Sequence, residues 1–184
     1  MTDTADEKVT AGGAEGIAAA VTRAAKKGPP PVHLWNPPFC GDLDMEIRAD
    51  GTWFYQGTPI ARPAMVRLFS TILRREGDSF FLVTPVEKVG IRVVDAPFVA
   101  VDADILADAV TFTTNVGDQV TAGPDNPVVL RGTPDAPRPY VHVRAGLDAL
   151  IDRKTFYRLA AAAAEGEDGR SGIRSGGVFF PLEP

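Results

Sequence analysis

This chain of 184 residues has one cysteine, two histidines and four serines, and each scarcity closes a route to chemistry. Cys40 alone cannot form an internal disulfide, which fits a reducing, cytoplasmic setting. Zinc sites recruit more Cys and His ligands than Cys40, His33 and His142 can supply. None of Ser70, Ser79, Ser171 and Ser175 sits in a G-x-S-x-G elbow, so a serine triad has no support. Neither a G-x-x-x-x-G-K-[ST] loop nor a strand-linked G-x-G-x-x-G occurs. No apolar run approaches the roughly 18–20 residues needed to span a bilayer. No basic segment followed by an apolar core opens the chain, so a secretory leader is not expected. Positive charge is also in deficit. The net charge is -5, the pI is near 5.0, and no basic run exceeds two residues. Such a surface repels phosphate backbones, so nucleic acid is not an expected partner.

What remains is ordinary globular material, 45% hydrophobic and 23% charged, with 16 prolines and 18 glycines that imply many turns and short strands. Ile17, Val21, Ala24 and Ala25 fall at helical spacing and predict a helix over 14–27. Its face of mostly alanine should dock weakly, and Gly28 to Pro31 end it. Leu43, Met45 and Ile47 then alternate with Asp44, Glu46 and Arg48, the mark of a half-buried strand. Asp50-Gly51 offers a hairpin turn, and "WFYQGTPI" returns as a second strand with a further turn at Gln56-Gly57. A helix begins at Pro63 with an apolar stripe of Met65, Leu68, Phe69, Ile72 and Leu73, leaving Arg67, Arg74, Arg75 and Glu76 mostly off the stripe. "SFFLVT" and "KVGIRVV" follow as strands joined through residues 84–87. From Phe98 the pattern is wholly β in "FVAVDA", "AVTFTTN", "QVTAG", "PVVLRG" and "PYVHVRA". A helix over about 152–164 closes it, and "GGVFFPLEP" is apolar enough for an edge strand. Ile60, Arg62, Arg67 and Leu68 recur 91 residues later as Ile151, Arg153, Arg158 and Leu159. Duplication and coincidence explain four such matches equally well.

"WNPPFCGDLDMEI", Trp35 to Ile47, concentrates the cysteine, two prolines and two aspartates beside His33. A reactive thiol needs a nearby cation or a helix N-terminus, whereas Cys40 is flanked by carboxylates. It reads as a buried packing residue, with Trp35 and Phe39 anchoring the entry to a sheet. Asp42 and Asp44 share one face of that strand, a solvated face that would serve Mg²⁺ only together with a phosphate-bearing ligand. Arg62, Arg144 and Arg153 stand at helix entries or strand ends. Arginine there suits carboxylate or phosphate, and each can equally well pair with a local aspartate. Thr84, Glu87 and Lys88 form a second polar cluster on a tight connection.

Taken in order, "WNPPFCGDLDMEI", "DGTWFYQGTPIARPAMVRLFSTILRRE", "FFLVTPVEKVGI", "DAPF", "TTNVGD", "RPYVHVRAGLDALIDRKTFYRL" and "GGVFFPL" resemble the bacterial domain-of-unknown-function family numbered 1285, from Pro31 to Leu182. The resemblance implies an α+β fold of two small domains related by duplication, the C-terminal one similar to pleckstrin-homology folds. The expected division is an N-terminal helix or flexible segment over 1–30, an N-terminal domain over 31–96 and a C-terminal domain over 97–184. The family implies a nucleotide-like ligand held between the domains and a role in signalling, with no established reaction. Chosen by polarity within the matched motifs, the ligand-binding residues are Asp44, Arg62, Thr84, Glu87, Lys88, Asn115, Arg144 and Arg153. No catalytic residue, resident metal or cofactor is expected. The expectation is a binding protein for an anionic small molecule. The alternatives are an adaptor for a protein partner and a hydrolase using Asp44 or Glu87 as general base.

Overall fold

A computed structural model describes residues 13–24 and 28–184. By its internal contacts the chain divides into two compact units. The first takes the chain to Met45 together with Tyr55–Arg92, and the second takes Glu46–Phe54 and Val93–Pro184.

The first unit begins with helix α1 (Ala14–Ala24), followed by a single 3-10 turn at Val32–Leu34. Its sheet is built from β1 (Phe39–Ile47), β2 (Trp53–Tyr55), β3 (Thr58–Pro59), β4 (Leu73–Glu76), β5 (Ser79–Val83) and β6 (Lys88–Val93), with α2 (Pro63–Thr71) between β3 and β4. The strand order is β3-β2-β1-β6-β5-β4. Both turn predictions near its start hold. Gln56 and Gly57 have φ of 50° and 77°, the paired left-handed backbone of a tight hairpin. Two helix expectations are corrected. Ile17 and Val21 are fully buried and α1 lies against α2, because two β-branched side chains supply the area that alanine lacks. Residues 25–27 of the expected helix lie outside the described residues. Helix α2 stops at Thr71, and the chain turns at Ile72 into β4. Ile72 and Leu73 are buried as expected, but as strand entry and not as helix face.

The second unit carries β7 (Phe98–Ile105), β8 (Val110–Thr114), β9 (Gln119–Thr121), β10 (Val128–Thr133), β11 (Ala136–Arg144) and β12 (Leu147–Ile151), then α3 (Arg153–Ala162). Strand β12 was not predicted, nor were β13 (Ala164–Glu165) and β14 (Ser171–Ser175), which pair with β15 (Val178–Pro181) in a small third sheet. The predicted edge strand at the C-terminal end is β15. Phe98, Phe112, Leu147, Ile151 and Leu159 are buried to 2% exposure or less, and α3 lies against β7 and β14.

The large sheet here has the order β10-β11-β12-β7-β8-β9. Read backwards it is the order of the first sheet, two three-stranded meanders joined through their first and last strands. In the second sheet that join is parallel, with Ala149 opposite Phe98 and Ile151 opposite Ala100. In the first, Lys88 N donates to Pro38 O at one end and Val94 N to Ile47 O at the other, so β6 and β1 also run the same way. The fold is therefore mixed α+β with two like sheets, consistent with duplication. The 91-residue echo is not its register. Matching strands start at Phe39 and Phe98, and at Lys88 and Leu147, 59 residues apart in each case. The echo aligns α2 with α3, and these helices hold different places in the order of elements.

Candidate functional site

The start of α3 is set by Asp152, whose carboxylate accepts from Thr155 N at 2.8 Å and caps the helix. Arg153 and Lys154 follow in the first turn, with no acid there. Cations at this end oppose the helix dipole, an unfavourable placement that a bound anion would ease. Beside this helix start runs the β10–β11 hairpin, whose arm pairs Arg131 with Arg138 and Thr133 with Ala136. Together they line a concavity of about 610 Å³, walled by Pro137, Pro139, Phe156 and Tyr157 and carrying Arg138 and Arg153. Asp135 and the β12 residues Leu150 and Ile151 complete the wall.

Arg131 and Arg138 are opposite each other, a like-charge pair that a sheet tolerates only when each charge is answered. Arg138 Nη2 lies 2.7 Å from Asp95, and Arg138 Nε donates to the Tyr140 hydroxyl at 3.2 Å. That hydroxyl in turn donates to Asp95 Oδ1 at 2.8 Å. Burial, followed by the Asp95 carboxylate, pushes the Tyr140 phenol above its ordinary range. Arg131 reaches Asp148 at 2.7 Å and stacks over the Tyr140 ring at 4.6 Å. His142 Nδ1 meets the other oxygen of Asp148 at 3.0 Å. Arg144 binds Asp118 at 2.6 Å and covers the Phe98 ring, and Arg158 pairs with Asp102. Against these neighbours Arg153 differs. Its guanidinium is exposed and has neither an ion pair nor a hydrogen bond among the described residues.

The remaining expected site residues are spread over both units. Asn115 accepts from Val99 N and donates to Gly51 O, a latch on the backbone. Asp44 is exposed and held by Arg92 at 2.8 Å. Thr84 is buried, and its hydroxyl closes the β5–β6 turn by accepting from Val86 N and Glu87 N. Lys88 reaches Glu76 at 3.2 Å over the Phe81 ring. Glu87 has no ion partner among the described residues, and burial raises its carboxyl above the usual glutamate range. Arg62 lies 3.9 Å from Glu15 and lines a concavity of about 380 Å³ with Ala18, Thr22, Met65 and Leu68. Arg62 and Arg153, matched in the sequence echo, thus each border a hollow of their own unit. Arg138, Asp95 and Tyr157 were missed. Their signals were weak: an arginine between two prolines, an acid in a short connection and a helix-face tyrosine.

The stretch Trp35–Ile47 departs from expectation at one residue. It does enter a sheet, since β1 starts at Phe39, but Cys40 is exposed and not a packing residue. Among the described residues its thiol reaches the Pro38 carbonyl alone, at 3.3 Å. Phe39 is 55% exposed and meets Phe81 edge-on, while Trp35 is half-buried and gives its carbonyl to Arg74. Alternation explains the exposure, because Cys40, Asp42 and Asp44 share the outward face of β1. Among the described residues no three His, Cys, Asp or Glu side chains are grouped for a metal, and no helix is long and apolar enough to cross a membrane.

Two family models match, the N-terminal domain of DUF1285, a domain of unknown function, over residues 30–96 and its C-terminal domain over 97–182. A crystal structure of a DUF1285 family protein from Silicibacter pomeroyi DSS-3 is 61% identical, with a TM-score of 0.83 over 91% of this chain and 94% of that one. Another, from Shewanella baltica OS155, is 30% identical, with a TM-score of 0.52 over 63% of this chain and 89% of that one. No curated protein matches. With both domain models in sequence order and a solved relative along nearly its whole length, this chain belongs to the DUF1285 family.

Proposed function

We propose that the protein binds a small anionic molecule carrying an aromatic ring, of the nucleotide-like class, in the concavity at the start of α3. One observation carries this reading: Arg153, unanswered among the described residues, lines a hollow whose walls include two aromatic rings and two prolines. A charged guanidinium fork suits a phosphate or carboxylate, and Phe156 and Tyr157 line the hollow with aromatic surface suited to a flat ring. A volume of about 610 Å³ lies within the usual range for small-molecule sites. In this reading the protein serves a regulatory or signalling role. The six-stranded sheet of the second unit followed by α3 is what favours a pleckstrin-homology likeness, which carries no function alone. A hydrolase reading rests on Glu87, the desolvated carboxylate, since Asp44 is exposed and committed to Arg92.

Thermal unfolding against nucleotides and phosphorylated metabolites, with and without Mg²⁺, tests the reading. A ligand at about 100 times its Kd adds roughly 2.7 kcal/mol, a midpoint rise of about 5–10 °C. Arg153→Ala should remove about 1.5–3 kcal/mol of that binding. A folded Arg153→Ala protein with the same response as wild type refutes the site. Turnover of the bound compound, abolished in Glu87→Gln, would establish the hydrolase instead.

A further inference from the structure

Resting on that reading, a second question concerns the other arginine of the concavity. Arg138 is already engaged. Its Nη2 holds Asp95 at 2.7 Å, its Nε holds the Tyr140 hydroxyl at 3.2 Å, and Tyr140 closes the triangle on Asp95. Tyr140 is fixed, being 4% exposed with the Arg131 guanidinium stacked on its ring. Asp95 is not held in a strand. It lies in the short connection between β6 and β7, and its side chain is about one-quarter exposed. An anion that reaches Arg138 through the free side of its fork would meet a carboxylate on the same guanidinium. Two like charges that close repel unless one leaves.

We propose that Asp95 is a resident counter-anion of the site, and that a bound anion displaces it from Arg138 and releases the β6–β7 connection. The two states exchange one charge-assisted pair for another, so the guanidinium is never left unanswered. Occupancy of the concavity thereby alters the tether on residues 94–97, where the two family models abut. The same competition sets selectivity. A phosphate dianion, with twice the charge, displaces the aspartate better than a carboxylate monoanion.

Calorimetric titration with adenosine monophosphate and with phenyl phosphate, on wild type, Asp95→Asn and Arg153→Ala, separates the possibilities. Removing the competitor should tighten both probes by about tenfold, while Arg153→Ala weakens them by a similar factor. Loosening in Arg153→Ala with no gain in Asp95→Asn overturns the counter-anion and leaves the site standing. An unchanged Arg153→Ala, or no binding to any of the three proteins, overturns the site and the counter-anion together. Should Asp95→Asn fail to fold, the arginine Nε–H signal of Arg138 in wild type decides. Displacement moves it on adding phenyl phosphate, and a stationary signal at saturation refutes the exchange.

Discussion

Glu87 is a carboxyl whose ionisation the fold resists, because burial raises it and no cation offsets that cost among the described residues. The consequence for stability has a definite sign. The folded state keeps the proton to a higher pH than the unfolded chain, so this group favours folding below the ordinary glutamate range and loses that contribution as pH rises through the folded value. Glu87→Gln removes the slope. Relative to wild type, the variant should gain stability between about pH 4 and pH 7 in urea unfolding. A constant difference across that range would mean that Glu87 is solvated after all. Glu76 works the opposite way. Hydrogen bonds from Arg74 and Lys88 lower its carboxyl, so its contribution is present at neutral pH and fades as pH falls through the lowered value.

Among the elements, the turn between β11 and β12 holds a residue in an unusual conformation. Ala145 has φ of 47° beside Gly146 at 76°, the two left-handed positions of a tight hairpin. Alanine there carries a steric cost of about 1 kcal/mol that glycine avoids. Ala145→Gly should therefore stabilise the protein by up to about 1 kcal/mol, less the extra unfolded-chain entropy of glycine, measured as a higher urea midpoint at unchanged slope. A destabilised variant would show the methyl to be packed. The same alanine hid β12 from sequence reading, since "RAGL" carries no Asn-Gly or Asp-Gly signal. Likewise α2 was read too long because neither glycine nor proline marks its end at Ile72, and apolar Ile72 and Leu73 continue its period. Strands announced by alternation, such as Leu43-Met45-Ile47, or by Gln56-Gly57, were legible. Of the proposed site, Arg153 had already been singled out in the sequence by its place at a helix entry. Its partners come from a hairpin and a connection brought near only by strand pairing, which spacing along the chain does not encode.

For the whole molecule, the two sheets share one strand order, yet their helices are inserted at different points, so similar frames present different hollows. Arg62 borders the smaller, between α1 and α2, where Glu15 already stands at 3.9 Å. Arg153 borders the larger, where nothing answers it among the described residues. A like-for-like duplication would predict two equivalent sites, whereas these surroundings predict one. Hydrogen exchange with a saturating nucleotide found by thermal screening distinguishes them. Amides of 135–139 and 153–157 should slow, while those of 64–68 and of strands β5 and β6 keep their rates, because a ligand protects the backbone it orders. Slowing at 64–68 instead would transfer the site to the first unit and make Glu15 its resident acid. Slowing at both would make the two hollows functional duplicates, with the helix position irrelevant to binding. Protection confined to the second unit would mean that the α3 insertion, and not the repeated sheet, created the site.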